Sequence, residues 1–177
     1  MSGQVEQYLF HRGEYRQAYE YLGAHPTRNS TIFRIWAPAA KSVAVVGDFN
    51  DWTAREEDYC RKLNNVGLWE VEIKKVKKGF LYKYQIETSW GEKILKSDPY
   101  AFYSELRPHT ASIVNGIPKF RWGDKKWLNN REIGYAKPIN IYEVHLGSWK
   151  KKEDGTYYNY REIAELLVKY ILEMNYT

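Results

Sequence analysis

The sequence has 177 residues, 28% charged and 44% hydrophobic, enough for one packed domain or one domain with part of another. Twenty-seven basic and 22 acidic residues leave a net charge of only +5, and the basic clusters KKVKK (74–78) and KKK (150–152) are too short for a nucleic-acid footprint. No window approaches the ~20 apolar residues of a membrane span. The N-terminus lacks a signal-peptide core and Cys60 stands alone, so a cytoplasmic chain without internal disulfides is expected.

The first predicted element is a short helix in EYRQAYEYLGAHP (14–26), within an N-terminal segment 1–25. Tyr15, Ala18, Tyr19 and Leu22 fall at helical spacing, Gly23 can terminate the helix and Pro26 follows. From about residue 31 to 115 the period becomes two. TIFRIWA sets Ile32, Arg34 and Trp36 against Phe33 and Ile35, and SVAVVG has the continuous apolar character of a buried strand. LWEVEIK sets Trp69, Val71 and Ile73 against Glu70, Glu72 and Lys74. FLYKYQIE sets Phe80, Tyr82, Tyr84 and Ile86 against Leu81, Lys83, Gln85 and Glu87, and EKILK and HTASIV complete the set. Turn signals separate these runs at Gly47–Asp51, Asn64-Asn65 with Gly67, Gly79, Gly91, and Asp98-Pro99. The expectation is a mainly β chain whose residues 26–118 form an immunoglobulin-like β-sandwich, without the Cys–Trp–Cys signature of true immunoglobulin domains.

Residues 119–137 show neither period and are expected to be a connector anchored by Trp122 and Trp127. The segment 138–177 then supplies one βα unit. PINIYEVHLG is apolar enough for a strand of a buried parallel sheet. NYREIAELLVKYILEMN is a helix with Ile163, Leu166, Leu167, Tyr170, Ile171 and Met174 on one stripe, and with Asn159 and Glu162 spaced as a capping box. One βα unit leaves its strand without a parallel neighbour, and a (β/α)8 barrel needs about 250 residues. The chain is therefore expected to be a fragment. Its last helix should present an apolar stripe that packs elsewhere, self-associates or is poorly ordered.

No phosphate-binding glycine loop and no metal-spaced Cys/His cluster is present, so neither a cofactor nor a metal is expected, and His11, His25, His109 and His145 are scattered. Glu143, on the predicted last strand, is expected to be an ion-paired or supporting carboxylate. The compositional anomaly is aromatic: 16% of residues, with seven Trp and sixteen Tyr. Most suit β-strands. Trp52, in the turn GDFNDW, and Trp90, at the expected hairpin tip ETSWGEK, do not. With Lys83 on the polar face of the strand leading to that tip, they can form a platform for sugars, whose apolar C–H faces stack on indole. Interface anchors for a protein partner are the alternative on the residues alone.

These motifs carry a resemblance. FRIWAPAAKSVAVVGDFNDW, GLWEVEI, GFLYKYQI, KSDPYAFYSELRPHTASIV and INIYEVHLGSW, with the opening YLFHRGEYRQAYEYLGAHP, resemble the N-terminal part of bacterial 1,4-α-glucan branching enzymes from about residue 8 onward. GDFNDW and WAP are shared with debranching and trehalose-forming relatives. DPYAFYSELRPHTAS followed by YEVHLGSW is the more specific pair. The resemblance implies a family 48 carbohydrate-binding module followed by the first βα unit of a catalytic barrel. It implies a parent that cuts an α-1,4-glucan and rejoins it as an α-1,6 branch through an aspartate nucleophile and a glutamate acid/base. Those carboxylates come from later barrel strands, so this chain alone is expected to be inactive, with the missing barrel and α-1,4-glucan as its partners. Tyr142 of YEVH corresponds to a residue lining the subsite beside the scissile bond. The module is also similar to the glycogen-binding modules of energy-sensing kinase subunits, in which a Trp follows Phe-Asn by two residues and a Lys precedes a second Trp by seven. Trp52, Lys83 and Trp90 match that spacing and Asn115 takes the place of a later Asn, so these four are the expected glucan-binding residues. Branching enzymes often lack the second Trp; its presence here favours a working platform. A non-catalytic glucan-binding module or a protein-interaction sandwich is the alternative.

Overall fold

A computed structural model describes residues 3–117, 120–131, 138 and 140–176. The chain divides into two compact units, Met1–Phe120 and Arg121–Thr177.

The first unit is built on two antiparallel sheets. Strands β1 (Gly23–Pro26), β2 (Ser30–Trp36), β4 (Arg61–Lys62) and β5 (Leu68–Lys74) form one, in the order β1-β2-β5-β4. Strands β3 (Ser42–Gly47), β6 (Leu81–Glu87) and β7 (Lys93–Lys96) form the other, and the short β8 (Ser112–Ile113) pairs with the beginning of β6. The period-two pattern places the core as expected. Phe33 and Ile35 of β2 and Trp69, Val71 and Ile73 of β5 face Val43 and Val45 of β3 and Tyr82 and Tyr84 of β6 in one buried cluster. Leu81, Lys83 and Gln85 alternate with the buried tyrosines, which puts them on the outer face. β7 is an edge strand that begins and ends in lysine, a composition that discourages pairing with another chain.

The N-terminal expectation needs correction. Residues 14–26 do not form a helix. Helix α1 lies earlier, at Gln4–His11, and only a single 3-10 turn, Ala18–Glu20, forms where the helix was predicted. Gly23 and Pro26 instead bound strand β1, which pairs with β2 in the register Gly23↔Arg34 to Pro26↔Thr31. Sheet pairing and the burial of Leu22 and Ala24 outweigh the weak local helical spacing.

In the second unit, α2 (Lys125–Asn130), the short α3 (Leu146–Trp149) and α4 (Tyr160–Glu173) are helical. The strand predicted over PINIYEVHLG does not form at the described residues 138 and 140–145; Ile139 and 132–137 lie outside them. Ile141 is 80% exposed and Glu143 is exposed too, so the buried supporting role expected for that carboxylate is not seen. A strand exists only when another satisfies its peptide groups, and no partner strand occurs among the described residues of this unit. The capping box does form: Asn159 Oδ1 accepts from the amides of Arg161 and Glu162 at 2.9 and 3.0 Å, and Glu162 Oε2 accepts from Asn159 N at 2.9 Å. On α4 the predicted stripe is graded, with Ile163 buried, Leu166, Leu167, Tyr170 and Ile171 half-buried, and Met174 exposed.

Candidate functional site

Each residue of GDFNDW has a separate structural role. Gly47 ends β3, where a Cβ would stand 2.1 Å from the Leu81 carbonyl oxygen, so only glycine fits. Asp48 answers the opposite strand: its amide donates to Leu81 O at 3.1 Å, and its Oδ2 accepts from Leu81 N at 2.8 Å. Phe49 turns inward against Phe33, ring centroids 6.3 Å apart. Asn50 is the knot, only 2% exposed. Its Oδ1 accepts from Gly47 N at 2.9 Å, while its Nδ2 donates to Val45 O at 3.0 Å and to Asp58 Oδ2 at 2.8 Å. Asp58, also 2% exposed, accepts from Arg55 N at 2.9 Å as well.

Asp51 and Trp52 follow with φ of 51° and 58°. Two consecutive non-glycine residues in the left-handed region, one of them tryptophan, are held against an intrinsic cost of about 1–3 kcal/mol each. The Trp52 amide closes the turn onto Gly47 O at 3.0 Å. Its side chain is left 38% exposed, in no ring pair among the described residues. A cleft of about 600 Å³ lies behind the same turn, lined by Asp48, Phe49, Arg55, Asp58, Lys74 and Lys75 among others, and does not include Trp52. The Trp52 residue is partly open to solvent, as stacking requires.

Trp90 stands where the sequence predicts, at a hairpin tip. Thr88 N donates to Glu92 O at 2.8 Å and Gly91 N to Thr88 O at 3.0 Å, which leaves Ser89, Trp90 and Gly91 as a three-residue loop. Gly91, at φ 90°, supplies the left-handed closing residue such loops need. Trp90 is 76% exposed and its Nε1 donates to Glu92 Oε2 at 3.1 Å. Lys83 is paired with Val46 in the β3–β6 ladder, on the outer face, and its Nζ donates to Thr110 Oγ1 at 2.8 Å. Asn115 lies just past β8, beside the start of β6: Gly79 N donates to Val114 O at 2.8 Å and Val114 N to Phe80 O at 2.9 Å. Its own Oδ1 accepts from Gly116 N at 3.0 Å.

The four residues are thus arranged along β6. The Trp52 turn and Asn115 lie toward its Leu81 end, Lys83 lies on its outer face, and Trp90 lies beyond its Glu87 end. The length of β6 separates the two Trp-bearing loops, about 20 Å at ~3.3 Å per residue. Tyr142 is in the second unit. Its hydroxyl accepts from Trp149 Nε1 at 2.8 Å, and its ring packs against Tyr170 and Tyr176 at centroid distances of 5.5 and 5.3 Å. No group of three or more potential metal ligands occurs among the described residues, and no helix there is long and apolar enough to cross a membrane.

The sequence reading missed Asn50 and Asp58. Periodicity does not mark them, because both lie outside the strands; the only cue is a polar pair flanking an exposed tryptophan. It also missed the buried carboxylate under the sheet. Asp98 Oδ2 accepts from the Tyr82 hydroxyl at 2.6 Å and the Tyr84 hydroxyl at 3.4 Å, and Oδ1 accepts from Tyr100 N at 2.8 Å. Burial raises its proton affinity, and the donated hydrogen bonds offset this only in part. Burial likewise pushes both tyrosines above the usual phenol range. These groups brace β6 from inside and are not available to a surface ligand.

The chain is similar in sequence and in fold to known proteins. Residues 21–101 match the family Carbohydrate-binding module 48 (Isoamylase N-terminal domain). All 177 residues align at 89% identity with the 1,4-alpha-glucan branching enzyme GlgB of Fusobacterium nucleatum, covering 29% of that protein. A GlgB of Geobacillus stearothermophilus is 48% identical over 98% of the chain, which spans 28% of it. The chain therefore spans less than a third of these relatives. A crystal structure from Salmonella typhimurium, provisionally described as an alpha amylase, superposes with a TM-score of 0.57 over 89% of this chain and 24% of its own, at 19% identity, a likeness of fold.

Proposed function

Because the chain belongs with the 1,4-alpha-glucan branching enzymes, residues 21–101 being its carbohydrate-binding module 48, we propose that its first unit binds α-1,4-glucan on the outer face of the β3–β6–β7 sheet. The observation that carries this reading is Trp52. The fold holds a large aromatic residue in a left-handed conformation, in a turn anchored by the buried Asn50 and Asp58, and leaves it partly exposed. Strain of this kind concentrates where a side chain must be presented to a ligand. A pyranose stacks its C–H face on the indole while hydroxyls bond to polar groups alongside. Lys83 and Asn115 supply such groups, and Trp90 extends the platform to the far end of β6. One short oligosaccharide then engages the Trp52 end, and a longer chain reaches both rings.

The parent activity proposed is transfer of an α-1,4-glucan segment to form an α-1,6 branch in the cytoplasm, with Tyr142 beside the scissile bond. The rest of such an enzyme is the partner proposed to cover Val168, Leu172 and Met174, which α4 leaves exposed.

Titration with maltoheptaose, by NMR or calorimetry, tests the binding reading. Saturable binding is expected in the wild type, weakened in Trp52→Ala and Trp90→Ala and lost in the double variant with the fold intact. A wild type that ignores millimolar maltoheptaose overturns it and makes the module a structural brace.

A further inference from the structure

Trp52 is exposed, but its backbone is set from beneath. The buried Asn50 amide spans three acceptors and donors at once, and one of them, Asp58, lies eight residues away in the 3-10 turn Glu56–Asp58. The Asp58 carboxylate accepts both from Asn50 Nδ2 and from Arg55 N, so the return limb of the loop is bonded to its outgoing limb. Asp51 and Trp52 sit between these anchors. At Trp52 the φ of 58° is one that a bulky side chain rarely adopts, whereas aspartate at φ 51° is better tolerated, and the closing bond from Trp52 N to Gly47 O shares its acceptor with Asn50 N.

We infer that Asp58, acting through Asn50, is a positioning residue for the sugar platform: the buried pair holds the turn in the left-handed conformation that aims the Trp52 ring outward. The inference rests on the proposed glucan-binding role only for its consequence in affinity. Asp58 touches no ligand itself, being almost wholly buried. Loss of the pair lets residues 51 and 52 relax to negative φ, which re-aims the ring without unpairing β3 from β6, whose ladder runs independently from Ser42↔Glu87 to Gly47↔Tyr82.

The test uses Asp58→Ala, Asp58→Asn and Asp51→Gly in the same chain. Two local readouts are the strong intraresidue amide–Hα NOE that a positive φ produces at residues 51 and 52, and the Trp52 indole resonance. Asp58→Ala should lose the NOE, shift the indole resonance and weaken maltoheptaose binding by roughly tenfold or more, because the strain released at two left-handed residues must be restored on binding. The cross-strand NOEs of β3 and β6 should persist. Asp58→Asn, which keeps one oxygen for the Asn50 amide, should restore part of the loss. Glycine at 51 removes the steric cost of the left-handed conformation at that residue, so adding Asp51→Gly to Asp58→Asn should restore more. Should Asp58→Ala fail to fold, the Asp58→Asn chain with and without Asp51→Gly decides. Asp58 variants that keep the NOE and bind as wild type overturn the inference, as does a loss of affinity in which all sheet resonances move together and Asp51→Gly restores nothing. A wild type that binds no glucan removes the affinity arm alone; the NOE at residues 51 and 52 still decides whether Asp58 sets the turn.

Discussion

The Tyr82 hydroxyl donates to Asp98 Oδ2 at 2.6 Å within the buried interior, directly beneath the strand whose outer face carries Lys83. A carboxylate there is costly, because desolvation penalises its charged form.

This gives two acids of opposite pH dependence. In Asp98 burial dominates and raises the folded pKa, so its contribution to stability is full below the unfolded value of about 3.9 and is lost as pH rises through the folded value. In Glu70 burial also pushes upward, but hydrogen bonds from Arg61 and Arg34 outweigh it and the net shift is down. Its contribution is present above the ordinary glutamate range and lost as pH falls through the lowered folded value. Carboxyl 13C NMR should find Asp98 titrating above the usual aspartate range and Glu70 below the usual glutamate range. An Asp98 midpoint at or below that of a free aspartate contradicts the dominance of burial.

Gly47→Ala should be among the most damaging single-methyl additions in the chain. The new Cβ would meet Leu81 O at 2.1 Å, and that carbonyl already accepts from Asp48 N. The cost should reach or exceed the ~1–3 kcal/mol typical of overpacking, because the obstacle is backbone rather than a flexible side chain. Urea unfolding measures it; an unchanged midpoint would mean that the β3 end moves aside freely.

Asn159→Ala removes the acceptor for two α4 amides and should destabilise that helix by about 1 kcal/mol. Amide exchange at Arg161 and Glu162 should accelerate first. Exchange unchanged at both would show that the cap contributes nothing measurable.

Burial pushes the Cys60 thiol up to about 12, so almost no thiolate forms at pH 8. Ellman's reagent should label the native chain far more slowly than the urea-unfolded chain. Labelling at the rate of a free thiol would show that the packing around Cys60 opens readily.

The strands were legible in the sequence because a half-buried strand writes its environment into alternate residues. Phe33 with Ile35, Trp69 with Val71 and Ile73, and Tyr82 with Tyr84 identify their own inner faces. The hairpin loop around Trp90 was legible for a related reason: a tight loop needs a positive φ at its closing position, and glycine supplies it without steric cost. The capping box of α4 was legible because its bonds span only three residues. Interactions that join distant parts of the chain were not. Helical spacing at Tyr15–Leu22 gave no sign that Gly23–Pro26 would be drawn into a sheet by β2. The apolar run at 138–147 resembled a strand, but strand formation depends on a neighbour's peptide groups and not on the run itself. Local pattern thus identifies the strand residues that face the core, the turns between those strands and the tryptophan carried by the loop after β3. Packing between segments sets the rest: Asn50 meets Asp58 under that turn, Asp98 lies beneath Tyr82, and Trp52 and Trp90 stand toward opposite ends of one strand. Local pattern records burial and backbone preference, whereas hydrogen-bond partners and ring spacing depend on how separate segments pack.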